Sequence, residues 1–349
     1  MPGFPTDVAV AIVAHNNLKP LPRTLASLAA AGCPASQIAV VDVMSSDGTA
    51  EYLRAEWPAI TQHRLEYNDG PSPGRNVGIT RAAKPFVLLM DADVFIAPDM
   101  VQRLKAEMDR DPSIKIGSPI VVHADRPDVI QYAGAALHYI CEAVIPWMNR
   151  PLAERGDDPR DVTVASTCAL LLDRAAAIEI GLFDERYFIG KEDGDFTHRC
   201  VMAGYRILEL PQAQVFHHSR PRGTWLFYYQ IRNRWHFMLK NYQVSTLLLI
   251  VPPLLLHELL QAAVLIAKGH AKVYFKAVWG LVKLLPDLRK DRAVMHRIRK
   301  RRDADVLVAG SLIIREDLAK ARLVRLGRAF YEGFLNGYWR LLKSTIYSR

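Results

Sequence analysis

The chain has 349 residues, half of them hydrophobic and 23% charged, with a formal net charge of +9. This composition excludes a disordered or low-complexity protein and leaves room for one large domain with an extension, or for two domains. The basic surplus invites an anionic partner: nucleic acid, the cytoplasmic membrane leaflet, or a phosphate-bearing substrate.

In chain order, VAVAIVA (8–14) reads as a buried strand, with a helix over Pro20–Ala31. QIAVVDV (37–43) is a second strand, followed by a helix near Thr49–Trp57. Arg64–Tyr67 reads as a short strand and Gly74–Ala83 as a helix. The run FVLLM (86–90) ends abruptly in Asp91-Ala92-Asp93, and a helix from about Asp99 to Asp109 follows. Continuous apolar strands alternating with helices predict an α/β fold with a parallel sheet covered on both faces. In such sheets ligands gather at the carboxyl ends of the strands.

Further on, IGSPIVV (116–122) and VTVASTCALLL (162–172) read as strands, with a polar loop at 150–161 between them. Asp195–Ala203 reads as a helix, with Asp195 as its capping acid. After Tyr242 the composition shifts to VSTLLLIVPPLLLHELLQAAVLIAKG and then to basic helical segments. The expected division is therefore a catalytic-type domain over 1–242 and a helical extension over 243–349.

Cys33, Cys141, Cys168 and Cys200 are widely spaced, with no CxxC and no neighbouring His cluster, which fits free thiols in a reducing compartment. No basic n-region precedes the first apolar stretch, so no secretory signal is expected.

The carboxylates at strand ends carry the chemistry. Asp42 closes the second strand, Asp47 lies in the turn SSDGT, and Asp91 and Asp93 close a later strand. On one rim such groups repel unless a cation or a donor-rich ligand joins them. A hard divalent ion, Mg²⁺ or Mn²⁺, takes oxygen ligands and bridges carboxylate to phosphate. The plainer reading is that Asp residues end strands and cap helices, above all for Asp47 before Gly48. Aspartyl-phosphate phosphatases also carry D-x-D after an apolar strand. They place Thr or Val two positions past the second Asp and use the first strand of the domain. Here that position is Phe95 and the strand is a later one.

Taken together, VAIVAHNN, VVDVMSSDGT, GRNVGI, LLMDADV, GLFDERYFIGKEDGDF, PQAQVFHH and IRNRW resemble the inverting family 2 glycosyltransferases, closest to the bacterial rhamnosyltransferase-like branch. The resemblance covers roughly 8–242 and implies a GT-A nucleotide-diphospho-sugar transferase fold. It implies that Ala14, His15 and Asn16 lie against the nucleotide, that Asp42 holds the base, and that Arg75 and Asn76 sit near the diphosphate and sugar. Asp91 and Asp93 match the metal motif, and His217 matches a histidine that closes the metal site in some members; His218 is the weaker candidate. The pair Glu192-Asp193 matches the acidic motif whose second residue serves as base. His15 replaces a more usual Tyr, Val43 a common Asn, and Ser166-Thr167-Cys168 a typical Gly-Ala pair. The implied partners are a UDP-, dTDP- or GDP-sugar and a saccharide or lipid-linked acceptor of cell-surface polysaccharide synthesis.

TWLFYYQIRNRW (224–235) could pass for a nucleic-acid patch but fits a packed core better, with Arg232 or Arg234 reaching the diphosphate. Val244–Ala267 is long enough to span a bilayer, yet Pro252-Pro253 interrupts it and His257, Glu258 and Gln261 follow. Tyr274, Val278, Leu281 and Leu285 form one helical stripe, with Lys268, Lys272, Lys276 and Lys283 opposite. HRIRKRR (296–302) adds more positive charge. This pattern predicts monotopic attachment at the cytoplasmic face of a bacterial membrane. A helical subdomain or a homodimer contact is the structural alternative. A non-enzymatic basic protein that binds lipid or nucleic acid is the rival function; it leaves the carboxylates unexplained.

Overall fold

The computed structural model describes residues 3–218, 223–312 and 322–347. The chain divides into two compact units: Met1–Gly134 with Trp147–Pro221, and Ala135–Pro146 with Arg222–Arg349. The division falls before the 226–241 helix, not after Tyr242 as expected. That helix packs with the C-terminal helices.

The first unit opens with β1 (Val8–Ala14), α1 (Leu21–Ala30), β2 (Ile38–Val43), α2 (Thr49–Glu56), β3 (Thr61–Leu65) and α3 (Pro71–Arg81). It continues with β4 (Phe86–Asp91), β5 (Val94–Ile96), α4 (Met100–Arg110), β6 (Ile114–His123) and β7 (Arg126–Tyr132). A small hairpin of the second unit, β8 (Ala136–Leu137) and β9 (Ala143–Val144), intervenes. The first unit then resumes with β10 (Arg160–Asp161), β11 (Ala169–Asp173), α5 (Arg174–Glu179), α6 (Glu192–Met202) and β12 (Arg206–His217).

The sheet order is β10-β12-β6-β11-β4-β1-β2-β3, with β5 also on β12 and β7 also on β6. Strands β4, β1, β2 and β3 are parallel, as the buried apolar runs of the first three predict. The sheet is mixed, however, because β11 runs antiparallel to both β4 and β6. Its start therefore lies beside the end of β4, Ala169 opposite Met90. Val8, Val10 and Ile12 of β1 and Leu21, Leu25 and Leu28 of α1 belong to the main core. Helix α3 lies close against the strands because two of its residues are glycines. A Cβ on Gly78 would come within 2.7 Å of the Ala11 Cβ, and one on Gly74 within 2.8 Å of Val13.

Several expected bounds shift. The third strand is Thr61–Leu65, and of the segment 162–172 only the part from Ala169 is strand. Helix α6 begins at Glu192, so Asp195 is not its cap. The N-cap is Lys191. Asp195 is fully buried, pairs with Arg199 at 2.8 Å and accepts from the Tyr187 hydroxyl at 3.1 Å.

The second unit comprises α7 (Leu226–Asn241), α8 (Val244–Leu249), α9 (Val251–Ala267), α10 (Ala271–Val282), α11 (Leu288–Ile298), α12 (Asp303–Val306) and α13 (Arg322–Tyr347). Ile231, Leu265 and Ala277 join α7, α9 and α10 in one cluster. Glu258 accepts from Arg234 and from the Tyr274 hydroxyl (2.9 Å), and Gln261 also binds Arg234 (2.8 Å). These polar residues thus serve the unit's interior. Tyr274 is drawn inward by the same network; of the expected stripe Val278 and Leu285 stay exposed, and Phe275, Trp279 and Val282 join Val278 on the exposed apolar face of α10. Among the described residues, no helix is long and apolar enough to cross a membrane.

Candidate active site

The site gathers at the carboxyl ends of β1, β2 and β4. At the end of β1, the His15 ring Nδ1 lies 2.6 Å from the Val43 carbonyl and its Nε2 lies 3.1 Å from the Asn68 amide. Asn16 has φ +53° and knits this loop to the next, donating from its backbone N–H to Ser45 Oγ (2.9 Å) and accepting from the Ser46 N–H (2.8 Å). Ala14 is fully buried beneath them.

Asp42 is buried and already engaged, accepting from the Ser45 N–H (2.9 Å) and from Arg64 (2.5 Å). Arg64 thus covers one oxygen of Asp42, a partner not expected from the sequence. Arg64 stands opposite Asp42 in the parallel β2–β3 register, and that pairing is invisible until the strands are aligned. Asp47 departs from the expectation of ligand binding. One oxygen accepts from the Leu18 N–H (2.9 Å) and the other from the Thr49 N–H (3.1 Å) and hydroxyl (2.6 Å), so it ties two loops together.

The centre is a carboxylate cluster around one guanidinium. Arg75, 3% exposed, donates to Asp193 (3.1 Å) and Asp91 (3.2 Å) and lies 3.7 Å from Glu192. The resemblance implies a place for Arg75 near the diphosphate; here both its terminal nitrogens face protein carboxylates. Burial at the strand end pushes the Asp91 carboxyl up. The pull of Arg75 opposes this, and the nearby Asp93 and Asp193 charges add to it. Asn76, also expected at the donor, is a structural bracket. Its amide donates to the Phe183 carbonyl and to Glu185, both at 2.9 Å, and its carbonyl accepts from the Phe183 N–H at 2.9 Å.

Asp193 sits in the first turn of α6. It accepts from Arg75, from the Thr167 hydroxyl and from the Thr167 N–H (3.2 Å). Thr167, noted in the sequence only as a departure from the Gly-Ala pattern, is thus a partner of Asp193. It reaches Asp193 because it precedes β11, whose antiparallel course returns the chain to the end of β4. The turn before α6 takes three positive φ values, at Phe188 (59°), Gly190 (80°) and Lys191 (74°), to deliver Glu192-Asp193 to this point.

Asp93, near enough for its charge to act on Asp91, pairs elsewhere. Its carboxylate is 3.6 Å from His217 Nε2, and the other ring nitrogen meets Gln131 at 2.7 Å. Pairing of β5 with β12, His217 opposite Val94, brings them together. Among the described residues no group of three or more His, Cys, Asp or Glu side chains forms a metal-ligand set. The expected trio is therefore split: Asp93 with His217, and Asp91 with Arg75. His218 turns to Arg23 instead, at 3.4 Å.

Arg232 and Arg234 belong to the second unit. Arg232 donates to Asn233 (2.9 Å) and lies over the Tyr228 and Tyr229 rings. Arg234 is wholly buried, bound by Glu142 (3.2 Å), Glu258 and Gln261. Both its terminal nitrogens are held by partners within the second unit, not free at the expected diphosphate position.

One strand-end rim thus holds the His15–Asn16 loop, a buried Arg–carboxylate cluster and an Asp–His pair. Residues 9–181 match the Glycosyl transferase family 2 profile. The chain is a family 2 glycosyltransferase of the bacterial rhamnosyltransferase-like type. It is 28% identical over 236 residues, 61% of this chain and 77% of the relative, to N-acetylglucosaminyl-diphospho-decaprenol L-rhamnosyltransferase of Mycobacterium tuberculosis. Over 138 residues it is 29% identical to the succinoglycan biosynthesis protein ExoO of Rhizobium meliloti, covering 39% of this chain and 38% of that one. S. aureus TarS 1-349 in complex with UDP shares the fold with a TM-score of 0.52 at 19% identity, over 84% of this chain and 89% of that one. GalNAc-T7 with UDP, GalNAc and Mn²⁺ gives a TM-score of 0.54 at 18% identity, over 68% and 48%. Neither the phosphatase reading nor the non-enzymatic one is favoured by these likenesses.

Proposed function

We propose that the enzyme transfers a sugar, with inversion, from a UDP-, dTDP- or GDP-sugar to a hydroxyl of a lipid-linked saccharide, in cell-surface polysaccharide synthesis and with a divalent metal. The observation that carries this reading is the Asp193 carboxylate, fixed between Thr167 and Arg75 at the rim that also holds Asp93 and His217. The M. tuberculosis relative's name, which includes diphospho-decaprenol, supports a lipid-linked acceptor, and the succinoglycan relative supports a polysaccharide product.

Cleaving the bond from the anomeric carbon to the phosphate oxygen builds negative charge on the departing diphosphate. Asp93 and His217 fit a divalent ion by donor chemistry, one carboxylate and one imidazole whose orientation Gln131 fixes. Mg²⁺ or Mn²⁺ held by these two side chains would supply Lewis-acid stabilisation of the leaving group. The acceptor hydroxyl must lose its proton as it attacks. Asp193 takes that proton, a contribution of about 10²–10⁴-fold. One base with direct displacement inverts the anomeric centre. Glu192, 7% exposed, is the less accessible of the two.

Asp193→Asn is expected to lower transfer by about 10²–10⁴-fold while sparing donor binding; near-full turnover would remove Asp193 from the role. Thermal shifts with UDP, GDP and dTDP, with and without Mn²⁺, identify the nucleotide.

The proposed place of action is the cytoplasmic face of the membrane, with the second unit lying in the interface. Exposed Leu255, Leu259, Phe275 and Trp279, with exposed Lys268, Lys272, Lys276 and Lys283, support it. Recovery in the soluble fraction after lysis in low salt without detergent would count against it. In that case a homodimer hiding the same apolar surface is the expected finding by size exclusion.

A further inference from the structure

A cavity of about 620 Å³ opens in the second unit between the end of α7, the start of α8 and one face of α11. Its wall carries five basic side chains, Lys240, Arg289, Arg292, His296 and Arg299, and no carboxylate. Four of them recur at spacings of three, four and three residues, which aligns them on one face of α11 and its C-terminal cap.

Part of this charge is left uncancelled. Arg292 donates to the carbonyl oxygens of Leu239 (2.5 Å) and Tyr242 (3.0 Å), which orient the guanidinium without neutralising it. Arg299 is paired with Asp303 at 2.7 Å, and the buried Lys240 is engaged as well. Arg289 and His296 are exposed and have no hydrogen-bond or ion-pair partner among the described residues. Planar guanidinium groups set around an open cavity suit phosphate oxygens.

A second observation says what is attached to that phosphate. Val244 lines the cavity and begins α8. Leu248, Val251, Leu255 and Leu259 follow it at helical spacing along α8 and α9, and all five side chains are exposed. An apolar track thus starts at the rim of a basic cavity.

We propose that this cavity binds the phosphate head of a long-chain lipid, whose tail runs along the Val244–Leu259 track. The proposal deepens the reading of a membrane-side enzyme with a lipid-linked acceptor, and rests on that reading for the presence of a bilayer. Two sources share the chemistry: an anionic phospholipid of the membrane, and the (di)phosphate of a polyprenyl-linked acceptor.

Sedimentation of the full chain with vesicles tests it, using phosphatidylcholine alone, or mixed with phosphatidylglycerol or with polyprenyl phosphate at matched charge. Binding to both anionic vesicles is expected. The R289E/H296E variant should lose about tenfold or more in affinity. The exposed-site variant L248S/L255S should also bind more weakly. Preference for polyprenyl phosphate assigns the cavity to the acceptor; equal binding assigns it to membrane phospholipid; either result upholds a phosphate-lipid site. Wild-type binding to neutral vesicles as strong as to anionic ones would overturn the proposal, and so would unchanged binding by R289E/H296E. Nucleotide-induced thermal shifts, read in parallel, separate the two ideas. A wild-type protein that no nucleotide stabilises undermines the transferase reading, whereas intact shifts with failed vesicle binding dismiss only the lipid cavity.

Discussion

Replacing Arg75 by Gln removes the cation that holds the carboxylate cluster together. Asp91 and Asp193 are 29% and 31% exposed, and Glu192 only 8%, on a side-chain basis. Deleting one partner of a buried ion pair costs roughly 3–5 kcal/mol. Water reaches two of the three carboxylates, so the lower end, about 3 kcal/mol, is expected. In a unit of this size each kcal/mol moves Tm by about 2–4 °C, which gives a drop of roughly 6–12 °C. Three acids left without a cation also favour protonation within the cluster, so the acid limb of the pH–rate profile should move to higher pH. Arg75→Lys restores charge but not the two-pronged geometry, and should recover the pH limb more fully than the Tm. Scanning fluorimetry and transfer rates across pH read both effects. A Gln variant that melts within about 2 °C of wild type, with an unmoved acid limb, refutes the assignment of Arg75 as the organising cation.

Gly70→Ala should destabilise the first unit by more than about 2 kcal/mol in urea unfolding. Gly70 has φ +88°, and an added Cβ would lie 1.9 Å from the Phe188 carbonyl oxygen, displacing the turn that delivers Asp193. Asp47→Asn tests a pH effect. Burial raises the Asp47 carboxyl slightly, but donors from Thr49 and Leu18 outweigh it and hold it below the usual range. Because its folded pKa is depressed, its stabilisation is present above the unfolded value of about 3.9 and fades as pH falls through the folded one. Wild type should therefore exceed the variant at neutral pH, by less than about 1 kcal/mol for this exposed group, with the difference vanishing in acid. Gln131→Ala should weaken Mn²⁺ binding in the presence of nucleotide by about tenfold, measured calorimetrically. Unaltered affinity would argue against His217 as a ligand.

Much of the first unit was legible because its strands β1, β2 and β4 are buried on both faces and read as unbroken apolar runs. Helices α1, α2 and α4 follow from amphipathic spacing. The bounds of α6 were misread because Asp195 looks like a capping acid, whereas a left-handed Lys191 starts the helix three residues earlier. Strand β11 carries no mark of its direction in its own residues. With its direction unknown, neither the mixed sheet nor the approach of Thr167 to Asp193 could be foreseen. The loop-bridging bonds of Asp47 and Asn76 were hidden for a related reason. A polar side chain near a site looks alike in sequence whether it faces a ligand or a neighbouring loop.

By itself the sequence determined the fold class, the rim on which the acids collect and the transferase family, since apolar periodicity and ordered short motifs are local properties. Tertiary structure alone decided which acids share a cation and which meets His217. It also drew Arg234 and Glu258 into one buried pair and left the Val244–Leu259 track exposed. Those outcomes depend on strand direction, register and helix rotation, and long-range packing fixes all three.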